Sequence, residues 1–288
     1  MPSLGAVAWW IALSSQGKES AGALSNAFNH PPLLDMMARF PEWSVDVFRD
    51  SSDEWFAIAL GVTAIISVGL SQGDRDRAKP AARALMVIPA VCAVMYFSTG
   101  SMLGDVWLFS ERFPVPMLLC LVPLLRVPTG ARGWFVTSLA IALASASTLN
   151  VCRHFIRFEK EEVGSFDEAL ATMAPDKHVA GLIYDKTSSI VNQTPFLHFV
   201  SYYQAEKGGV VQFSNSGALY WPVRWKDGHY PPPGTRPRLR WEWMPESVPM
   251  TELYPYYDYV LVRGWGFHPP PGTFHSIYHA GPWSVYAR

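Results

Sequence analysis

The stretch from Trp134 to Val151 constrains this chain most. WFVTSLAIALASASTLNV carries no charge and consists almost wholly of apolar or small residues. A bilayer's hydrocarbon core takes about 20 such residues in helical form, so the stretch predicts a membrane span. Apolar runs recur every few dozen residues before it. After it come Cys152, Arg153 and His154, and no later run is long enough to cross a bilayer. The expected architecture is a helical membrane bundle of four or five spans over residues 1–151. A small extracytoplasmic α/β domain over residues 152–288 follows it.

Composition agrees with that split. Charged residues make up 16% of the 288 residues, below the roughly 25% of soluble proteins. The net charge of −1 provides no basic field for nucleic acid, which is excluded as a partner. The three cysteines, Cys92, Cys120 and Cys152, lie in or at the end of apolar runs. Their odd number and spacing fit neither a disulfide framework nor a zinc site.

The chain opens on an apolar run, Leu4–Leu13, with no basic residue before it. That argues against a secretory signal. A short first span, or the tail of a span from a longer ancestral protein, is the reading for residues 1–14. Residues 15–54 form a polar loop in which Leu33, Met36, Met37 and Phe40 recur at helical spacing, predicting an amphipathic surface helix. Trp55–Leu70, Ala84–Ser98 and Phe113–Leu125 are the other expected crossings. Residues 99–112 are a second polar loop.

Orientation follows from lysine and arginine. Loops 71–83 and 126–132 carry six basic residues in 20 positions; loops 15–54 and 99–112 carry four in 54. The basic pair belongs in the cytoplasm, so the C-terminal domain is expected outside an inner membrane. In that domain Ser165 is expected to cap a helix reaching Met173. Strands are expected at His178–Tyr184, Val210–Phe213, Tyr257–Val262 and Trp283–Tyr286, with a helix at Gln193–Lys207. This order predicts a largely parallel sheet. The proline triplets 231–233 and 269–271 and Trp221, Trp225, Trp241, Trp243 and Trp265 fall in its loops, where aromatic faces could stack on sugar or pack internally.

Acidic residues of the outward loops are the candidate general bases or metal ligands: Asp35, Asp53, Glu54, Asp105 and Glu111. A divalent cation is a cofactor such acids could hold, and the sequence assigns no cofactor. Each of these acids could equally be a solvated charge or a helix cap. Arg112, at the outer end of a span, could pair with a lipid-carrier phosphate or anchor the helix at the interface. His275 and His279 are four apart but lack the glutamate of a zinc-protease helix, and a loop is expected there. No phosphate loop, nucleophile elbow or dinucleotide fingerprint occurs.

Three stretches together resemble the GT-C superfamily of polytopic glycosyltransferases, which includes protein mannosyltransferases and aminoarabinose transferases. His30–Pro31–Pro32–Leu33 is similar to the segment of their first outer loop. Ser110–Glu111–Arg112–Phe113–Pro114 is similar to the Glu-Arg-aromatic opening of a late span. The last span with its outer Tyr-Asp-Tyr-Val-Leu-Val strand is similar to their C-terminal region. The resemblance implies inverting transfer of a sugar from a polyprenyl-phosphate donor to a glycan, lipid or protein acceptor. It assigns Asp35 or Glu111 as the base, and His30 and Arg112 to substrate binding. The chain departs from the family in having fewer spans. At the family's acidic motif it has Gly17–Lys18–Glu19–Ser20, without an acidic pair. The alternative is a non-catalytic, membrane-anchored binding or assembly protein.

Overall fold

The computed structural model describes residues 31–71, 86–103, 106–125, 127–212 and 239–288. The chain divides into two compact units, residues 1–153 and 154–288. The reading of residues 1–14 lies outside the described residues.

The first unit is helical. Helix α1 spans Leu33–Ser44, and its apolar spacing buries Met36. Helix α2 spans Ser52–Leu70, about 28 Å at 1.5 Å per residue. Helix α3 spans Val87–Ser98, and α4 spans Pro114–Leu121. Helix α5 spans Gly130–Phe158 and is continued by a π-helical turn, Glu159–Val163. Among the described residues two helices are long and apolar enough to cross a membrane, Ser52–Leu70 and Gly130–Val163. Only 11% and 6% of their most apolar windows are buried, so their apolar faces are not used up in packing within the chain. Asn150 on α5 donates to the Ser52 hydroxyl at the start of α2, 2.8 Å away.

The expected crossing at Phe113–Leu125 is not a span-length helix. Helix α4 stops after Leu121, and Val122–Leu124 tightens into a 3-10 turn around Pro123. Eight helical residues cover about 12 Å, and the three prolines at 114, 116 and 123 shorten the regular run. The loop expected at 99–112 is instead structured. Strands β1 (Met102–Leu103) and β2 (Val106–Trp107) form a small antiparallel hairpin, followed by a 3-10 turn at Ser110–Arg112.

The second unit is a five-stranded sheet of order β4-β3-β5-β7-β6. Its strands are β3 (His178–Ile183), β4 (Val210–Val211), β5 (Tyr259–Arg263), β6 (His275–Ala280) and β7 (Trp283–Ala287). Strands β4, β3 and β5 are parallel, while β7 and β6 are antiparallel. The sheet is therefore mixed, where a largely parallel one was expected. The missed strand is β6. Its exposed His-Ser-Ile-Tyr-His pattern has no buried face to announce it.

Both faces of the sheet are covered, which explains the unbroken apolar runs of β3 and β5. On one face Val179, Ile183, Leu261, Trp283 and Val285 pack with Phe166 and Leu170 of α6 (Phe166–Ala171) and Val200 and Tyr203 of α7 (Val200–Lys207). On the other, Ala180, Leu182, Val260 and Val262 pack with Trp241 of α8 (Leu239–Trp243) and Leu253 of α9 (Met250–Leu253). Ser165 does not cap α6 with its side chain; its hydroxyl donates to the Ala280 carbonyl at 2.6 Å. Helix α7 starts at Val200, not Gln193, because Gln193 and His198 sit at φ 68° and 69°, outside helical geometry. Gly181 is required under this helix: a Cβ there would stand 2.7 Å from Val200 Cβ.

One contact extends the sheet's edge, and another ties the turn after α5 to the connector after β3. Strand β4 ends after Val211, and the Gln212 side-chain amide takes over as pairing partner, accepting from the Gly181 N–H and donating to its carbonyl. The Glu162 carboxylate accepts from the Ser189 N–H at 2.7 Å and the Ser189 hydroxyl at 2.6 Å. Burial alone would raise its pKa, but the serine hydrogen bonds and the nearby Arg263 charge hold it below the usual carboxylate range.

Gln212→Ala leaves two buried backbone groups of Gly181 unpaired and should destabilise the second unit by about 2 kcal/mol, measured by denaturant titration. A carboxylate with a lowered folded pKa contributes stability above its unfolded pKa and loses it as pH falls through the folded one. Wild type should therefore lose stability below roughly pH 4 more steeply than Glu162→Gln, as read from melting temperature against pH; parallel acid limbs would remove this role.

Candidate functional site

A small cleft in the first unit, of about 10 Å³ and so with room for about one water molecule, is lined by Pro31, Met36, Arg39 and Trp43 from the α1 segment. Tyr96, Ser101, Ser110 and Glu111 line it from the α3–α4 segment. Two features of the chain build it. Tyr96 is the phenol in the apolar run of α3 and is 2% exposed. A buried phenol requires a hydrogen-bond partner, and its hydroxyl donates to the Met36 carbonyl at 2.7 Å. Its ring meets Phe40 edge-on at 5.6 Å. The hairpin then folds the chain back, with the Phe109 N–H donating to the Ser101 carbonyl at 3.0 Å. That return sets Ser101 beside Glu111.

Glu111 is the chemically loaded group. It is 9% exposed. One carboxylate oxygen accepts from the Ser101 hydroxyl, the other from the Ser110 hydroxyl at 2.9 Å. Two donors occupy two of the roughly four lone-pair positions a carboxylate offers, so acceptor capacity remains. Arg39 forms an ion pair with Glu42 at 3.2 Å and lies 5.6 Å over the Trp43 ring, which holds a guanidinium at the cleft.

The expected site residues are not all brought together. Glu111 lines the cleft, as does Pro31 of the His-Pro-Pro-Leu run. His30 itself lies outside the described residues, as do Asp105 and Gly17–Ser20. Asp35 is exposed in the first turn of α1 and is not among the residues lining the cleft. Arg112 is also exposed and outside the lining; its Nε donates to the Leu108 carbonyl at 3.3 Å. Tyr96, Ser101 and Arg39 were not expected. The signal for Tyr96 is a lone phenol within an apolar helix, which needs a polar partner.

Asp46, Asp53 and Glu54 bring carboxylate oxygens within 4.8 Å of one another, a set able to hold a divalent cation through oxygen. Hydrogen bonds already commit Asp53 to the local backbone. Its carboxylate accepts from the N–H groups of Val47, Phe48 and Glu54, fixing the turn before α2.

The second unit holds its own ionic contacts. Glu242, wholly buried, lies 2.6 Å from His198 Nδ1. Arg263, 4% exposed, lies 3.4 Å over the Phe196 ring and donates to Asp185 Oδ2 at 2.6 Å. These groups tie connectors to the sheet.

Comparison with protein-family models, with curated proteins and with solved structures finds no match to this chain. The site is therefore read from its own geometry.

If the Tyr96 hydroxyl holds the cleft together, Tyr96→Phe should cost about 1 kcal/mol and Glu111→Ala, which strands two serine hydroxyls, about 1–3 kcal/mol. Thermal unfolding of the purified full chain checks both; an unchanged midpoint for Tyr96→Phe would show that the bond does not hold the cleft.

Proposed function

We propose that this chain is an inner-membrane glycosyltransferase of GT-C character, moving a sugar from a polyprenyl-phosphate donor on the outer face of the membrane. One observation carries the reading. The two segments that resemble the family's outer-loop and late-span motifs are far apart in sequence, yet Pro31 and Ser110–Glu111 line one cleft. Two helices with exposed apolar faces and sufficient length support the membrane setting, with the second unit outside as the loop charges direct.

In this reading the Glu111 carboxylate takes the proton from an acceptor hydroxyl. The acceptor oxygen attacks the anomeric carbon, and the bond from that carbon to the phosphate oxygen breaks. Polyprenyl phosphate leaves with the electron pair, its charge balanced by Arg39 at the cleft. A single displacement inverts the anomeric configuration. The serine hydroxyls fix the carboxylate's orientation, which general-base work requires.

A second reading has specific support. Asp35 and Arg112 stand outside the cleft and Glu111 is already engaged by two serines. That arrangement suits a protein that retains the motif segments as structure and serves as a membrane-anchored binding or assembly factor.

Turnover of polyprenyl-phosphate sugars by the detergent-purified chain separates the two. The transferase reading expects turnover that falls about 10²-fold or more in Glu111→Ala, with Arg39→Ala weakening donor binding. Donor binding without turnover in wild type supports the second reading; neither binding nor turnover removes the carrier from both.

A further inference from the structure

We infer that Trp265 and His279 form a stacking subsite for a sugar ring on the second unit. This goes beyond the transfer reading and does not depend on it. Of the five tryptophans that the sequence gathers in the outer loops, Trp221 and Trp225 lie outside the described residues. The structure separates the other three. Trp241 is 3% exposed and belongs to the core, and Trp243 lies 5.9 Å beneath the Lys186 ammonium. Trp265 is 82% exposed.

The exposure of Trp265 is built in. It stands between Gly264 at φ 87° and Gly266 at φ 144°. A Cβ on Gly264 would lie 3.0 Å from the Asp185 Cβ, and one on Gly266 2.6 Å from the Tyr184 ring. The Gly264 N–H donates to the Pro282 carbonyl at 2.8 Å. The turn's backbone is thus pressed onto the connector after β3, and the indole between the glycines is presented to solvent on a fixed base. A preorganised aromatic face loses little freedom when a ligand stacks on it.

The polar half of the subsite is equally fixed. His279 on β6 is exposed, and its ring meets Trp265 at 5.3 Å and 60°. Its Nδ1 is within 2.7 Å of the Ser284 hydroxyl, which is 6% exposed. That contact sets the ring orientation and leaves Nε2 to meet a ligand hydroxyl, which can both donate and accept. A flat apolar face beside an oriented polar nitrogen matches a pyranose, which has one apolar C–H face and a rim of hydroxyls. Asp185, 52% exposed beside the turn, adds an acceptor for such hydroxyls.

Topology argues independently for a ligand here. Strand β4 lies on one side of β3 and β5 on the other, all three parallel. The order reverses at the carboxyl ends of β3 and β5, where Asp185 and Trp265 follow their strands. Open α/β sheets bind ligands in the crevice at such a switch point.

The test uses the full chain in phosphatidylcholine nanodiscs on an array of neutral and acidic oligosaccharides, followed by titration with the best binder. The subsite predicts binding that weakens at least about tenfold in Trp265→Ala and His279→Ala, is largely retained in Trp265→Phe, and leaves the melting temperature unchanged. No binding to any glycan, or equal binding by Trp265→Ala, overturns it. Nanodiscs with brominated acyl chains test the bilayer as occupant. If they quench wild-type fluorescence more than that of Trp265→Phe, the indole is a membrane anchor and the sugar subsite is rejected.

Discussion

The Tyr96 hydroxyl reaches the Met36 carbonyl across 60 residues of sequence, and the cleft of the first unit depends on it. A phenol buried in an apolar helix cannot be left without an acceptor except at a cost of about 1–3 kcal/mol. Satisfying it draws α1 onto α3. The hairpin at 102–107 then returns the chain so that Ser101 and Ser110 clamp Glu111. The cleft is the consequence of these two demands, a buried hydroxyl and a buried carboxylate, each met by groups from distant or folded-back segments.

The second unit solves a different problem. Its sheet is covered on both faces, so β3 and β5 are apolar at every position but their ends. The buried Arg263 is stacked over Phe196 and paired with Asp185, and the buried Glu242 lies beside His198. Where the β4 ladder runs out, one side-chain amide completes it. The carboxyl edge of the parallel strands carries the exposed tryptophan, and the sheet behind it supplies the rigidity that a stacking site uses.

Much of this was legible in the sequence. Helices α1, α2 and α5 follow from apolar spacing and run length, and β3, β5 and β7 from buried strand patterns. Three of the elements that were not legible have clear physical reasons. The run at 113–125 is apolar enough to cross a membrane, but three prolines limit its regular helix to eight residues. Strand β6 is an exposed edge, so no alternation marks it. Helix α7 starts at Val200, about two turns after the expected Gln193, because Gln193 and His198 are left-handed, which composition does not reveal. Glu111 was a candidate from its motif and lines the cleft, whereas Ser101, Tyr96 and Arg39 reach it through tertiary contacts that spacing does not encode. Asp35 and Arg112 carry the right chemistry, but the fold leaves them outside the cleft.

The most direct test of the account is photo-crosslinking of the full chain in lipid bilayers with a diazirine-bearing polyprenyl-phosphate sugar, followed by peptide mapping. The account predicts label on both the Pro31–Trp43 and the Ser101–Glu111 segments, competed by unmodified carrier. Label confined to other segments, or none that unmodified carrier competes away, would contradict the claim that the two motif segments form one carrier-binding cleft.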